Sequence, residues 1–238
     1  MDDFEPLATL RQPTATRPLL GLTVLVVEDS RFACEAIRLL CLRSGGRIRR
    51  ADCLASARRH LQVYRPSVVI IDLGLPDGSG TELIAEMNAM TPRVGVILGM
   101  SGDDGAEALA RSAGADGFLA KPISSLALFQ ESILQHLPAD RQPSGPRILN
   151  EDEITPDPVA YCDDLAHAAE ILGEDHDGAV LAYLAQFVGG LARSAADLPL
   201  EQAARALART QDSAGTSRSD VARLAGLVQA RLSERIAI

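Results

Sequence analysis

Leu22-Thr23-Val24-Leu25-Val26-Val27-Glu28-Asp29 is an almost unbroken apolar run that ends on two carboxylates. Successive residues of a strand point to opposite faces, so a continuous apolar run predicts a strand buried on both sides. That is the signature of a parallel sheet covered by helices. Outward from this stretch the pattern recurs. Strands are predicted at Leu22–Val27, Val68–Ile71, Val94–Met100 and Gly117–Ala120, with a weaker one at Arg47–Ala51. Between them lie amphipathic stretches at Arg31–Arg43 (with Ser30 as its N-cap), Ala55–Tyr64, Thr81–Met90, Gly105–Ala113 and Ser124–Leu137. Strands alternating with helices predict an α/β fold: a doubly wound five-stranded parallel sheet with right-handed crossovers.

The flanks read differently. Residues 1–20 are rich in Pro and Thr and are expected to form a flexible extension. The α/β unit spans 21–138. A linker is expected at 139–158, where Pro138, Pro143, Pro146, Pro156 and Pro158 surround Glu151-Asp152-Glu153. Beyond it the alternation stops. Helices are predicted at Val159–Leu172, Gly178–Ala196, Leu200–Gln211 and Asp220–Ile236, a small all-α bundle over 159–238.

Composition excludes several classes. The net charge of −9 opposes a general nucleic-acid or anionic-membrane binder. No stretch reaches the roughly 18 apolar residues of a membrane span. The acidic Met1-Asp2-Asp3-Phe4-Glu5 start does not read as a signal peptide. Cys34, Cys41, Cys53 and Cys162 form no CxxC pair, which fits reduced thiols and a cytoplasmic location better than zinc or disulfides.

In a doubly wound sheet, ligands bind beyond the carboxyl ends of the strands. Glu28-Asp29, Asp72, Ser101 and Lys121-Pro122 fall there. Lys121 is the only lysine among 23 basic side chains. Lysine places a compact point charge, whereas arginine presents a broad planar fork. Carboxylates gathered at one edge repel unless a hard cation sits between them, and Mg²⁺ favours such oxygen ligands. A carboxylate can also act as a nucleophile toward phosphorus. Lys121 and Ser101 would then bind phosphoryl oxygens. Two plainer readings stand beside this one: Glu28-Asp29 as an acidic pair at a helix N-terminus, and Asp77-Gly78 as a turn that shapes the loop without touching metal.

Residues 22–137 resemble the receiver domain of bacterial two-component response regulators. The resemblance rests on Val26-Val27-Glu28-Asp29-Ser30, Ile71-Asp72-Leu73-Gly74-Leu75-Pro76-Asp77-Gly78-Ser79-Gly80, Met100-Ser101-Gly102 and Leu119-Ala120-Lys121-Pro122. It covers about half the chain. It implies Asp72 as phosphoacceptor, with Glu28, Asp29, Asp72 and the backbone carbonyl of Gly74 holding Mg²⁺. It makes Ser101 the switch hydroxyl and Lys121 the phosphate-binding lysine. Phe118 takes the aromatic switch position, with packing in the core as its plainer alternative. A cis Lys121-Pro122 bond is also implied. The expected partners are a sensor histidine kinase or histidine phosphotransferase.

The helical half resembles a histidine phosphotransfer (Hpt) domain in Ala168–Asp175, in the Leu181–Leu198 stripe and in Leu200–Arg209 with Ser213-Ala214-Gly215. It lacks that family's His and Lys-Gly: Ala208-Arg209-Thr210-Gln211-Asp212-Ser213 stands there. It is therefore expected to be a phosphoacceptor-free Hpt-like module that docks its own or another receiver. Residues 151–238 hold seven Arg and no Lys against fifteen Asp and Glu, which disfavours DNA binding. The leading expectation is a phosphorylation-controlled switch and not an enzyme, with a homodimer on phosphorylation as one output. The alternative is a phosphotransfer intermediate that relays through His167. His176 is expected to be solvated.

Overall fold

The apolar runs pair as expected in the computed structural model, which describes residues 12–103, 105–145, 153–173, 178–212 and 218–236. The main strands are β1 (Thr23–Val27), β2 (Arg47–Ala51), β3 (Val68–Asp72), β6 (Val96–Ser101) and β7 (Gly117–Ala120). They form one parallel sheet in the order β2-β1-β3-β6-β7. The short strands β4 (Gly74–Leu75) and β5 (Gly78–Ser79) make a separate antiparallel pair. The strand order reverses between β1 and β3. That reversal opens a crevice at their carboxyl ends, where Glu28, Asp29 and Asp72 emerge.

Helices α1 (Arg31–Arg43) and α5 (Leu126–Leu134) cover one face of the sheet. Helices α2 (Leu54–Val63), α3 (Gly80–Ala89) and α4 (Ala106–Ala113) cover the other. The two-residue period of the strands divides β3 between the two cores. Val68 and Ile70 pack with Ile37, Leu40 and Phe129, while Val69 and Ile71 pack with Leu83, Ile84 and Met87. Strand β2 is mostly exposed, as suits an arginine-rich strand at the edge of a sheet.

The expected bounds of α1, β2 and β7 coincide with the structure, and the others shift by up to three residues. The caps explain part of this. Ser30 Oγ accepts the Ala33 amide at 3.0 Å and starts α1, and Ser125 Oγ accepts the Leu128 amide at 3.3 Å and starts α5. The Asp77 turn also carries a role that local sequence did not announce. Its carboxylate accepts the Leu54 and Ala55 amides at 2.8 and 2.9 Å and caps α2 across the chain. Against some desolvation, those amides hold its carboxyl below the usual aspartate value. Asp77→Ala is expected to cost about 1–2 kcal/mol and to lower Tm by about 2–8 °C in differential scanning calorimetry.

Two expectations need correction. Residues 12–20 are not a loose extension throughout: Leu19 is fully buried and its amide donates to Ser44 O at 2.9 Å. Residues 1–11 lie outside the described residues. Nor is the end of the 139–158 segment a free linker. Glu153 bridges Ser125, and the Ile154 amide donates to Ser124 O at 2.9 Å. The Ile154 side chain is buried in the same core as Leu126. In both places one apolar side chain has enough area to gain by leaving water that it holds a polar stretch against the domain.

The last helices are α6 (Pro158–Leu172, with Asp157 as N-cap), α7 (Gly178–Ser194), α8 (Leu198–Asp212) and α9 (Arg218–Ile236). They build their own core around Leu165, Leu184, Val188, Leu207 and Leu224, and Phe32 of α1 belongs to it. The four cysteines are free. Burial pushes the Cys41 thiol up to about 12, so it stays protonated and packs as a small apolar group. No helix among the described residues is long and apolar enough to cross a membrane.

Candidate functional site at the carboxyl ends of the strands

Glu28 and Asp29 follow β1, Asp72 ends β3, Ser101 ends β6 and Lys121 follows β7. Glu28, Asp72, Ser101 and the sheet around them are buried, so these polar groups face one another and not water. One carboxylate oxygen from each of Glu28, Asp29 and Asp72 lies within 4.8 Å of the others. Lys121 Nζ stands 3.0 Å from Asp72 Oδ2 and 2.7 Å from Glu28 Oε2. Glu28 Oε2 has no donor other than that ammonium among the described residues. The Ser30 amide is shared by Glu28 Oε1 at 3.1 Å and Asp29 Oδ1 at 3.0 Å. The Gly74 amide donates to the Asp72 carboxylate. Ser101 Oγ accepts the Asp103 amide at 3.2 Å, and the Lys121 amide donates to Ser101 O at 2.9 Å. The Lys121-Pro122 bond is cis, and so is Thr91-Pro92, which the sequence does not announce.

Three carboxylates against one ammonium leave the cleft short of positive charge, and burial sharpens the deficit. Desolvation raises Glu28 to about 7, against the pull of Lys121, and Asp29 adds to the rise. Desolvation likewise raises Asp72 to about 7, with Lys121 opposing and Glu28 assisting. Asp29 is raised too, by burial first. Burial works against the Lys121 ammonium, but the charges of Asp72 and Glu28 more than offset it and hold its pKa above the usual lysine value. A small divalent cation is what such a set lacks: hard oxygen donors, close together, carrying more negative charge than one lysine balances. Glu28, Asp29 and Asp72 therefore fit Mg²⁺.

The expected residues are thus brought together, except one. Phe118 does not line the cleft. It is half-buried on β7 and packs toward Gly99 in the core beneath α4. Gly74 does line the cleft.

The cleft also has a wall that sequence reasoning missed. Gln186, Phe187, Gly190, Leu191, Arg193 and Ser194 of α7 lie over it. Tyr183 donates its hydroxyl to Asp29 Oδ2 at 2.5 Å. Burial, and then the charge of Asp29, push the Tyr183 phenol well above the ordinary tyrosine value, so it stays protonated and donates. From α6, Asp164 accepts from Ser30 Oγ and from the Arg31 and Phe32 amides. An apolar stripe identifies these helices as amphipathic, but nothing in its spacing says what the stripe covers. His167 is exposed on α6 with its ring edge-on to Phe187 at 6.1 Å. It borders an outer groove shared with Asp29 and Tyr183 rather than the cleft itself. His176 and Ser213-Ala214-Gly215 lie outside the described residues.

The family model for the response regulator receiver domain matches residues 24–132. Among curated proteins, the KDP operon transcriptional regulatory protein KdpE of Escherichia coli (strain K12) is 31% identical over 99 residues, 42% of this chain and 44% of that protein. The probable transcriptional regulatory protein TcrX of Mycobacterium tuberculosis (strain ATCC 25618 / H37Rv) is 32% identical over 104 residues, 43% of this chain and 44% of that protein. The chain thus spans less than half the length of these relatives. Among solved structures, a response regulator protein from Burkholderia pseudomallei with a phosphorylated aspartic acid is 30% identical. It covers 50% of this chain and 68% of that one, at a TM-score of 0.41. A CheY-like receiver domain from Methylobacillus flagellatus is 27% identical, covering 43% of this chain and 87% of that one, at a TM-score of 0.40. With its strand order, its acidic cleft and the family match in register, residues 24–132 form a response regulator receiver domain of the two-component type, followed by helices α6 to α9.

Proposed function

We propose that this chain is a phosphorylation-controlled switch whose receiver accepts a phosphoryl group on Asp72 from a sensor histidine kinase or a histidine phosphotransferase. The observation that carries the reading is the buried Asp72 carboxylate, flanked by two further carboxylates and 3.0 Å from the only lysine of the chain. Glu28, Asp29, Asp72 and the Gly74 carbonyl would hold Mg²⁺, which when bound neutralises charge on the incoming phosphoryl group. An Asp72 oxygen forms the new bond to phosphorus while the donor's bond to phosphorus breaks and its electron pair leaves with the donor. Lys121 then holds one phosphoryl oxygen. Ser101 donates a hydrogen bond from its hydroxyl to another, giving up the Asp103 amide as it turns. Phe118 follows from its half-buried place on β7.

The chain turns over no substrate beyond its own acyl phosphate, so it is a switch and not an enzyme. Its output runs through protein contacts, either with its own helices or with a partner. Leu109 on α4 and Leu128 on α5 are exposed apolar side chains that suit a second copy on phosphorylation. The acidic helical half suits a catalytically silent Hpt-like module, not a nucleic-acid or membrane surface, and the free cysteines suit the cytoplasm.

The test is Mg²⁺-dependent labelling of the purified chain by a small acyl-phosphate donor. A base-labile label retained in His167→Ala supports the reading. An acid-labile label lost in His167→Ala replaces it with onward transfer through α6. Absence of label with both the donor and a cognate histidine kinase rejects the reading.

A further inference from the structure

The contacts between the helical half and the receiver converge on one place. Asp164, 3% exposed, accepts Ser30 Oγ at 2.8 Å and the Arg31 and Phe32 amides at 2.9 and 3.0 Å, so α6 caps the first turn of α1. Arg31 pairs with Asp163 at 2.7 Å. Phe32 stacks edge-on with Tyr161, ring centroids 5.6 Å apart, inside the helical core. From α7, Gln186 donates to Asp103 Oδ2 at 3.1 Å and Arg193 donates to Gly102 O.

The receiver loops are shaped for this approach. A Cβ on Gly74 would collide with the Gln186 amide, and a Cβ on Gly102 would collide with the Arg193 guanidinium. Glycine at both positions leaves room for the ends of these two α7 side chains on the loops that follow β3 and β6. What remains beneath is a cavity of about 30 Å³, room for about two water molecules. No protein side chain from outside reaches Asp72 through that space.

The occupied atoms matter most. Asp29 Oδ1 is taken by the Ser30 amide and Oδ2 by Tyr183. A cation seated among the three carboxylates draws on the same Asp29 charge that these donors already use, and a phenol on Oδ2 crowds that oxygen and weakens it as a ligand. The Ser30 amide is fixed in the backbone at the N-cap of α1 and stays beside Asp29, whereas the Tyr183 phenol is on a side chain of another helix and can withdraw.

We propose that α6 and α7 are a built-in cap on the acidic cleft, in which Tyr183 competes with a divalent cation for Asp29. Cation binding and cap release then favour one another, cation binding and cap closure oppose one another, and a phosphodonor protein reaches Asp72 only in the uncapped state. The inference rests on the reading of the cleft as a cation site. It adds that this chain carries its own antagonist.

The experiment titrates Mg²⁺ into the full chain by isothermal calorimetry and follows amide hydrogen exchange with and without the ion. Tyr183→Phe removes one hydroxyl and leaves the ring, so folding is preserved. It is expected to tighten Mg²⁺ binding about tenfold, because a hydrogen bond to a charged group is lost only from the capped state. Tyr183→Phe with Gln186→Ala should tighten it further. Tyr161→Phe, which removes a phenol away from the cleft, should leave it unchanged. In the wild type, saturating Mg²⁺ should speed exchange across Gly178–Ser194. Equal Mg²⁺ affinity in the wild type and the double variant overturns the cap, as does unchanged exchange in α7. If no variant binds Mg²⁺, the cap and the cation reading fall together. If Mg²⁺ binds as described and Asp72 still takes no label, only the phosphoacceptor reading fails.

Discussion

Asp72→Asn is expected to take up less than about a hundredth of the wild-type phosphoryl label and, without Mg²⁺ at pH 8, to melt higher than the wild type. The first effect follows from chemistry: a neutral amide is not the nucleophile that a carboxylate is. No neighbour stands in for it. Glu28 faces Lys121, and Asp29 is engaged on both oxygens.

The second effect follows from burial. Desolvation raises the Asp72 pKa from 3.8 to about 7 in the folded chain. A carboxyl raised above its unfolded value contributes stability that is fully present below the unfolded pKa and is lost as pH rises through the folded one. At pH 8 the buried carboxylate is charged and penalised, and asparagine escapes the penalty. Each pKa unit is worth about 1.4 kcal/mol. Allowing for coupling to Glu28, a gain of about 2 kcal/mol is expected, or about 4–8 °C in Tm for a chain of this size. The gap should close toward pH 5, where the wild-type carboxyl is protonated, and should narrow at pH 8 when Mg²⁺ is added to the wild type. Calorimetry of both proteins in EDTA at the two pH values decides it. A lower Tm for Asp72→Asn at pH 8 would refute the electrostatic account.

Lys121→Met should move stability the other way. Methionine keeps much of the stem's volume but removes the ammonium, leaving Glu28, Asp29 and Asp72 to face each other in the cleft. Breaking a buried pair by removing one partner costs about 3–5 kcal/mol. At pH 8, without Mg²⁺, a fall in Tm of about 6–20 °C is expected. The raised pKa of Lys121 means that the ammonium itself stays charged at pH 5 as at pH 8 and does not titrate in this range. The pH dependence of the loss therefore comes from the carboxyls. Near pH 5 Glu28 and Asp72, raised to about 7, are protonated and need no counter-charge, so the deficit should shrink to a fraction of its pH 8 value. Label uptake should fall about a hundredfold at pH 8, through loss of the point charge that binds a phosphoryl oxygen. Lys121→Arg should recover stability better than uptake, because a planar fork does not reproduce a compact ammonium.

Elements whose signal is local are legible in the amino-acid sequence. The apolar run Val24–Val27 needs burial on both faces, and only a helix-covered parallel sheet supplies it. Ser30, before an amphipathic stretch, announces the start of α1. The edge position of Arg47–Ala51 follows from its polar character. Once the parallel sheet is inferred, Glu28, Asp29, Asp72, Ser101 and Lys121 fall at one edge, because strand ends in such a sheet share that edge.

Other features carry no local signal. Leu19 and Ile154 are single apolar residues in polar stretches, with no period to mark them, and only a receptive core shows that they are plugs. Asp77 looks like a turn residue because its partners, the amides of α2, are more than twenty positions away. The raised pKa values of Glu28 and Asp72 depend on how much water the fold excludes, a property of packing and not of residue type.

Short-range periodicity and a general rule of strand topology suffice for the α/β architecture, the extent of the helical half and the convergence of charged residues. They do not suffice for the seating of α6 and α7 on the cleft, with Tyr183 on Asp29 and Asp164 on α1. An amphipathic stripe specifies that a helix buries one face. Which surface it buries that face against depends on shape, glycine-lined clearance and hydrogen-bond partners contributed from more than 130 residues away, and those meet only in the folded chain.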